Sequence, residues 1–295
     1  MTGVPASWVV PDGLPDGGYI IPDPPYHDGE PIIQPALWIT DEPVPDVRLG
    51  PMFARLLAAH GDTGLWPLLL TEMSAPAGVL MPAISGVSAD LIRARLFPPG
   101  RPWHKGEIFP VPASRIDELD AGELLARDWD LEVSTGGERF SFGADAFPGL
   151  PRLSWPGLAD PAAPGADPDA VAASLVTAPG GAAQLTTRED IYLGLVPASD
   201  GAAAITACGW LSNAGGTAEI AAVIRSWQRR FGARLCAIGF DTLGLCVAWP
   251  PATSEHARRV AAEHLAFCPE IAYHADIADY ARHLEGNQVW LFWWD

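Results

Sequence analysis

Proline fixes φ and has no N–H to give to a helix or a sheet, so the placement of the chain's 30 prolines limits where regular structure can form. Eleven of them fall between Pro5 and Pro51. The same stretch carries eight acids, Asp12, Asp16, Asp23, Asp28, Glu30, Asp41, Glu42 and Asp46, before its first base, Arg48. Residues 1–48 therefore read as an acidic, Pro-rich arm, largely extended, with parts docked through Trp8, Tyr19, Ile20, Ile21, Ile32, Ile33, Leu37 and Trp38. A second cluster, Pro148, Pro151, Pro156, Pro161, Pro164 and Pro168, lies in Ala/Gly/Asp-rich sequence. Residues 156–187 read as a linker on that account. The expected organisation is an arm (1–48), a small mixed α/β unit (49–155), the linker (156–187) and a C-terminal domain (188–295), which suits 295 residues at roughly 150 per domain.

The N-terminal unit is expected to hold helices over 51–59, 89–97 and 115–127, a buried strand over 65–71, and a hairpin of strands 129–133 and 139–142 around Gly136 and Gly137. The C-terminal domain is better punctuated. Strands are expected over 191–196 and 203–207. Thr217 offers an N-cap to a helix whose apolar residues Ile220, Val223, Ile224, Trp227 and Phe231 recur at helical spacing up to Gly232. A hairpin of 234–240 and 243–249 turns at Asp241 and Thr242. Thr253 caps a second helix with Ala257, Val260, Ala261, His264 and Cys268 on its inner stripe. A further helix over 276–284 precedes a last strand over 288–293. From Ala203 this order predicts a ferredoxin-like split βαβ, and the fold class α+β.

Several motifs of the last third resemble a known family. They are Arg225-Ser226-Trp227, Arg230-Phe231-Gly232-Ala233-Arg234, Pro250-Pro251, Ala262-Glu263-His264, Phe267-Cys268-Pro269 and the final Trp290-Leu291-Phe292-Trp293-Trp294-Asp295. Over about Asp190 to Asp295 the chain is similar to a bacterial, mostly actinobacterial, domain family of unknown function that ends in a Trp-x-Phe-Trp-Trp-Asp motif. Gly64 to Leu70 resembles a common upstream companion. The resemblance implies a domain boundary and supplies no activity, substrate or catalytic residue.

Charge narrows the function classes. Thirty-six acids against 18 bases give a net charge of −18, which opposes binding to nucleic acid and to anionic membrane surfaces. No apolar run is long enough to span a bilayer and the first residues lack a signal-peptide pattern. Cys208, Cys236, Cys246 and Cys268 contain no Cys-x-x-Cys pair and suit buried thiols in a reducing cytoplasm. Phosphate-binding glycine loops and the nucleophile elbow of hydrolases are absent, and no cofactor or metal is expected.

Glu263, His264 and Cys268 form the nearest thing to a reactive cluster, because His264 and Cys268 share one helical face and could pair an imidazole with a thiol or hold a metal. His274 and Asp276 would join only if the chain folds back. A core histidine and a buried thiol are the plainer explanation. Arg225, Arg229, Arg230 and Arg234, with Arg258 and Arg259, make the concentrated positive region, a solvated helix face or a site for an anion or acidic partner. Asp241 reads as a turn residue, and Asp295 as a terminus that one of these arginines could clamp. Most of the 12 Trp read as core, with Trp8, Trp38 and Trp103 the candidates for exposed contact. The expected function is a non-enzymatic cytoplasmic protein-binding or adaptor protein, a toxin-neutralising or regulatory role fitting such a surface. The alternative is an enzyme with a site between the domains, using Glu263 and His264 as acid and base on an anionic substrate.

Overall fold

The computed structural model describes residues 8–20, 26–27, 30–31, 35–71, 111–136, 154–186, 188, 190–210, 216–239, 241–274 and 277–294. The expected helix 89–97, the strand 139–142, Trp103, Phe240, Asp276 and Asp295 lie outside them.

The architecture is α+β. One mixed sheet takes its strands from both halves of the chain, in the order β1 (Gly17–Ile20), β4 (Leu37–Thr40), β6 (Tyr192–Pro197), β5 (Leu65–Leu70), β7 (Ala233–Ile238), β8 (Thr242–Val247) and β9 (Val289–Trp293). The short β2 (Tyr26–His27) and β3 (Glu30–Pro31) pair only with each other. All neighbours in the large sheet are antiparallel except β5 and β7. The near-continuous apolar run of β5 is buried throughout, as a strand covered on both faces requires. Pro67 sits in this interior strand, and the β7 ladder engages only Leu69 and Leu70 beyond it. Upstream, the Trp66 indole N–H donates to the Leu235 carbonyl at 2.9 Å, taking up an acceptor on β7.

Helices cover both faces. Helix α1 (Asp46–Ala58), followed by the single turn α2 (His60–Thr63), packs with α5 (Pro168–Thr177). Gly50 of α1 is in close apposition to Val176 and Thr177, where a Cβ would meet backbone at 2.7 Å. On the opposite face lie α7 (Thr217–Phe231) and α8 (Ser254–Phe267), their aromatic side chains meeting Trp290 and Phe292 of β9. Three short segments complete the described helices around these layers: α3 (Ser114–Asp117), α9 (Ile271–His274) and α10 (Ile277–Leu284), together with α4 (Ala121–Gly136) and α6 (Gly201–Cys208).

Helix α7 follows the sequence pattern, with Ile220, Val223, Ile224, Trp227 and Phe231 all buried. Gly232 ends it at φ +60°, a left-handed conformation that favours glycine, and donates its N–H to the Trp227 carbonyl. The cap differs from expectation. Gly216 is the N-cap, and the buried Thr217 hydroxyl instead donates to the Trp210 carbonyl at 2.8 Å. Thr253 does cap α8, accepting from the His256 N–H.

Two expected strands are helical. Residues 203–207 belong to α6, because Asp200 caps that segment through the Ala203 N–H at 2.8 Å and its alanines favour helix. Residues 129–133 belong to α4, where Leu125 and Trp129 are one turn apart and both fully buried. With 203–207 helical and β8 lying between β7 and β9, a ferredoxin-like split βαβ is not confirmed. The hairpin of β7 and β8 is present, with a register shift between Leu235 and Ala237.

Residues 156–187 hold α5, whose N-cap Asp167 accepts from the Ala170 N–H at 2.8 Å and whose Ala172 and Val176 are buried. Trp38 is only 5% exposed, and Trp8 packs edge-on against Tyr19, so neither stands free as a contact residue.

Candidate functional site

The two candidate clusters meet across α7 and α8. Glu263 is 0% exposed, and its carboxylate accepts four hydrogen bonds. Oε1 accepts from Arg230 Nη1 at 2.7 Å and from the Ala159 N–H at 2.7 Å; Oε2 accepts from Arg230 Nη2 at 2.6 Å and from the Trp227 indole at 2.8 Å. This is a bidentate Arg–carboxylate pair with its remaining lone pairs satisfied, the arrangement a buried charge needs. Arg230 also donates to the Ala159 carbonyl at 3.0 Å and to Ser226 Oγ at 3.1 Å.

The same helices hold the irregular segment 156–162. Arg259 donates to the Pro156 carbonyl at 3.0 Å, His256 Nε2 lies 2.8 Å from the Asp160 carbonyl, and the Ala162 N–H donates to the Arg230 carbonyl at 3.0 Å. The pair is thus a clasp over residues 156–162.

His264 is 0% exposed among the rings of Trp227, Trp290 and Phe292. A hydrogen bond of 2.8 Å joins Nδ1 to the Tyr280 hydroxyl. Burial, and then the nearby Arg230 guanidinium, hold its pKa well below 6.5, so the ring is neutral at pH 7. Burial raises the Tyr280 and Cys268 pKa values, and the Cys268 thiol donates to the Trp293 carbonyl at 3.1 Å. A thiol held protonated is a poor nucleophile and metal ligand. Neither Glu263 nor His264 lines a solvent-reachable cleft, and among the described residues no group of three His, Cys, Asp or Glu is placed to hold a metal ion. His274 stands apart, its ring 5.6 Å from Trp293.

The buried imidazole has a consequence for acid stability. Below the unfolded-state pKa of about 6.5, the unfolded chain takes up a proton at this histidine while the folded chain does not. Stability therefore falls as pH falls, by roughly 1.4 kcal/mol per pH unit until the depressed folded pKa is reached. Denaturant unfolding of wild type and His264→Gln between pH 7 and pH 5 should show a shallower decline in the variant. Parallel declines would mean that His264 is protonated in the fold.

The other arginines divide into engaged and free. Arg225, 13% exposed, donates to Asp117 Oδ1 at 2.7 Å and to Asp200 Oδ2 at 3.4 Å. Arg234 pairs with Asp169 of α5, and Arg258 donates to the Ser254 carbonyl at 3.2 Å within its own helix. Arg229 is exposed and has no hydrogen-bond or ion-pair partner among the described residues. It lies on a cleft of about 280 Å³ between α7 and the turn from α3 into α4, with Arg225, Ser226 and Arg230 beside it. Asp117 and Asp120 line the cleft too, but Asp117 is paired with Arg225 and Asp120 accepts from the Glu123 N–H at 2.9 Å. The bidentate pair of Arg127 with Glu219, at 3.0 and 3.1 Å, fixes α4 against α7.

Asp241 binds the C-terminal segment. Its Oδ2 accepts from the Trp293 indole at 2.9 Å and its carbonyl from the Trp294 N–H at 2.9 Å. Sequence reasoning missed Tyr280, which lies 16 residues beyond His264, and Asp117 and Asp200, which hold Arg225. Only the Asp200 cap had a local signal, the acid two residues before an alanine run.

Residues 192–295, from the start of β6, match a family model described as Domain of unknown function (DUF4253). No curated protein and no solved structure was found to match the chain.

Proposed function

We propose that this chain is a non-enzymatic protein-binding or adaptor protein that meets an acidic partner through the exposed side of α7. The observation that carries the reading is Arg229, an exposed guanidinium with no partner among the described residues, which lines a cleft. In a chain of net charge −18 an exposed, unpaired guanidinium gives orientation to an encounter with an acidic group. Burial of both Glu263 and His264 favours this reading over acid–base catalysis by that pair. The four cysteines are free and buried, which fits a reducing compartment such as the cytoplasm. No described helix is long and apolar enough to cross a membrane.

Affinity capture from an extract of the source cells should recover a specific protein with wild type and lose it with Arg229→Glu. The purified partner should then bind the wild-type chain directly. Arg282→Ala, which alters an exposed arginine paired with Asp279 on α10, should leave capture unchanged. Identical capture by wild type and Arg229→Glu would remove α7 as the recognition face.

A further inference from the structure

We propose that β9 pairs with β9 of a second copy of this chain, antiparallel about a two-fold axis at Leu291, so that the two sheets join edge to edge. The inference does not depend on Arg229 and rests on the free edge of the large sheet.

Strand β9 ends the seven-strand order and pairs with β8 alone. Its register with β8 runs without a shift from Val289 opposite Cys246 to Trp293 opposite Thr242. Just beyond these limits the Val247 N–H donates to the Gln288 carbonyl at 2.8 Å, and the Trp294 N–H donates to the Asp241 carbonyl at 2.9 Å. Hydrogen-bonded pairs alternate along an antiparallel ladder. The backbone groups of Gln288, Trp290, Phe292 and Trp294 therefore turn towards β8, and those of Val289, Leu291 and Trp293 turn to the free edge. Two of these edge groups are satisfied within the chain. The Val289 N–H donates to Asn287 Oδ1 at 3.0 Å, and the Trp293 carbonyl accepts from the Cys268 thiol at 3.1 Å. The Leu291 N–H and carbonyl, the Val289 carbonyl and the Trp293 N–H have no partner among the described residues.

These four groups complement themselves. A two-fold axis at Leu291 sets Leu291 opposite Leu291 of the second copy and Val289 opposite Trp293. Each Leu291 N–H then meets a Leu291 carbonyl, and each Trp293 N–H meets a Val289 carbonyl. The two groups already satisfied, the Val289 N–H and the Trp293 carbonyl, are the ones that would have faced each other in this register, so the ladder strands neither. The side chains match as well, because Val289 beside Trp293 is a β-branched–aromatic cross-strand pair and Leu291 meets its own copy. Nothing in β9 guards the edge: the strand has no charge, no proline and no bulge. Leu291 is exposed, and with Val289, Tyr280 and Leu284 it lines a cleft of about 380 Å³, which leaves room beside the strand. Pairing of β9 with itself closes at two copies, whereas pairing of β9 with β1, the opposite edge, would continue from chain to chain.

Sedimentation velocity of the intact chain from about 1 to about 200 µM, the range of a weak interface, tests the proposal. A reversible dimer should form and nothing larger. Leu291→Lys sets two like charges opposite each other at the axis, and Leu291→Pro removes an N–H that the β8 ladder does not use. Each should raise the dimer Kd at least about tenfold. Val47→Lys, which alters an exposed apolar residue on α1, and Arg229→Glu should leave it unchanged. Circular dichroism identical to wild type would show that the Leu291 variants remain folded. Hydrogen exchange supplies a readout in the unaltered chain: the Leu291 and Trp293 amides should gain protection as concentration rises, while the Phe292 amide, bonded to β8, should not respond. A chain that stays monomeric throughout, a dimer indifferent to both Leu291 variants, open-ended oligomers, or Leu291 and Trp293 amides that ignore concentration would each overturn the pairing.

Discussion

Glu263→Ala should destabilise the fold by about 3–5 kcal/mol, because it leaves the Arg230 guanidinium without its counter-charge in a largely buried place. The loss is not confined to the ion pair. The Ala159 N–H and the Trp227 indole N–H lose their acceptor as well, and each is a donor that buried surroundings make costly to strand. Urea unfolding of wild type and variant provides the measurement. Glu263→Gln, which keeps an oxygen for some of these donors but no charge, should fall between the two. Replacing Arg230 and Glu263 together by methionine should recover part of the loss, since a buried ion pair exchanged for apolar side chains is often close to neutral. Recovery should stay incomplete because Ala159 would still lack partners for both its N–H and its carbonyl. A change of less than about 1 kcal/mol in Glu263→Ala would mean that water reaches the carboxylate and that the clasp is not closed.

Trp227→Ala is expected to cost a similar amount, about 3–5 kcal/mol. The indole is fully buried, stacks on Phe292 at a centroid distance of 5.3 Å, and meets Phe267, Trp290 and His264 edge-on at 4.9, 5.6 and 5.0 Å. Its removal opens a void at the point where α7, α8 and β9 join. Trp227→Phe keeps most of the ring packing and loses only the indole N–H to Glu263, so it should cost much less. Combined with Glu263→Ala, the tryptophan substitution should be less than additive, because the two residues share a hydrogen bond. Additive losses would show that the aromatic cluster and the ion pair stand independently.

The sequence readings that agree with the structure depended on local pattern. Ile220 to Phe231 kept a helical period, Thr253 stood before an amphipathic run, and Asp241 separated two apolar strands; all three elements are present. Where period was absent, composition misled. The run Ala203 to Ala207 is apolar but for Thr206 and shows no clear period, which is equally consistent with a buried strand and a buried helix, and only the Asp200 cap separated the two. Proline content suggested a linker at 156–187. Within that stretch the carbonyls of Pro156, Ala159 and Asp160 are bound by side chains of α7 and α8, contacts that proline content does not encode. The position of β5 between β6 and β7 depends on pairing across more than a hundred residues, which no local pattern encodes.

The candidate site was legible as a list and not as an arrangement. Arg225, Arg229, Arg230 and Arg234 stood out together as positive charge, but their partners lie far away in sequence. Glu263 is 33 residues from Arg230, and Asp117 is 108 from Arg225. Only the structure sorts the cluster into arginines that hold the fold and Arg229, which has no partner among the described residues.

That division is tested most directly by measuring stability and partner capture together in Arg229→Ala and Arg230→Ala. The account predicts that Arg229→Ala unfolds within about 0.5 kcal/mol of wild type, as a surface substitution should, while its capture of the partner from extract weakens. Arg230→Ala should lose several kcal/mol of stability through the stranded Glu263 carboxylate. An Arg229→Ala variant as destabilised as Arg230→Ala, or one that captures the partner as wild type does, would contradict it.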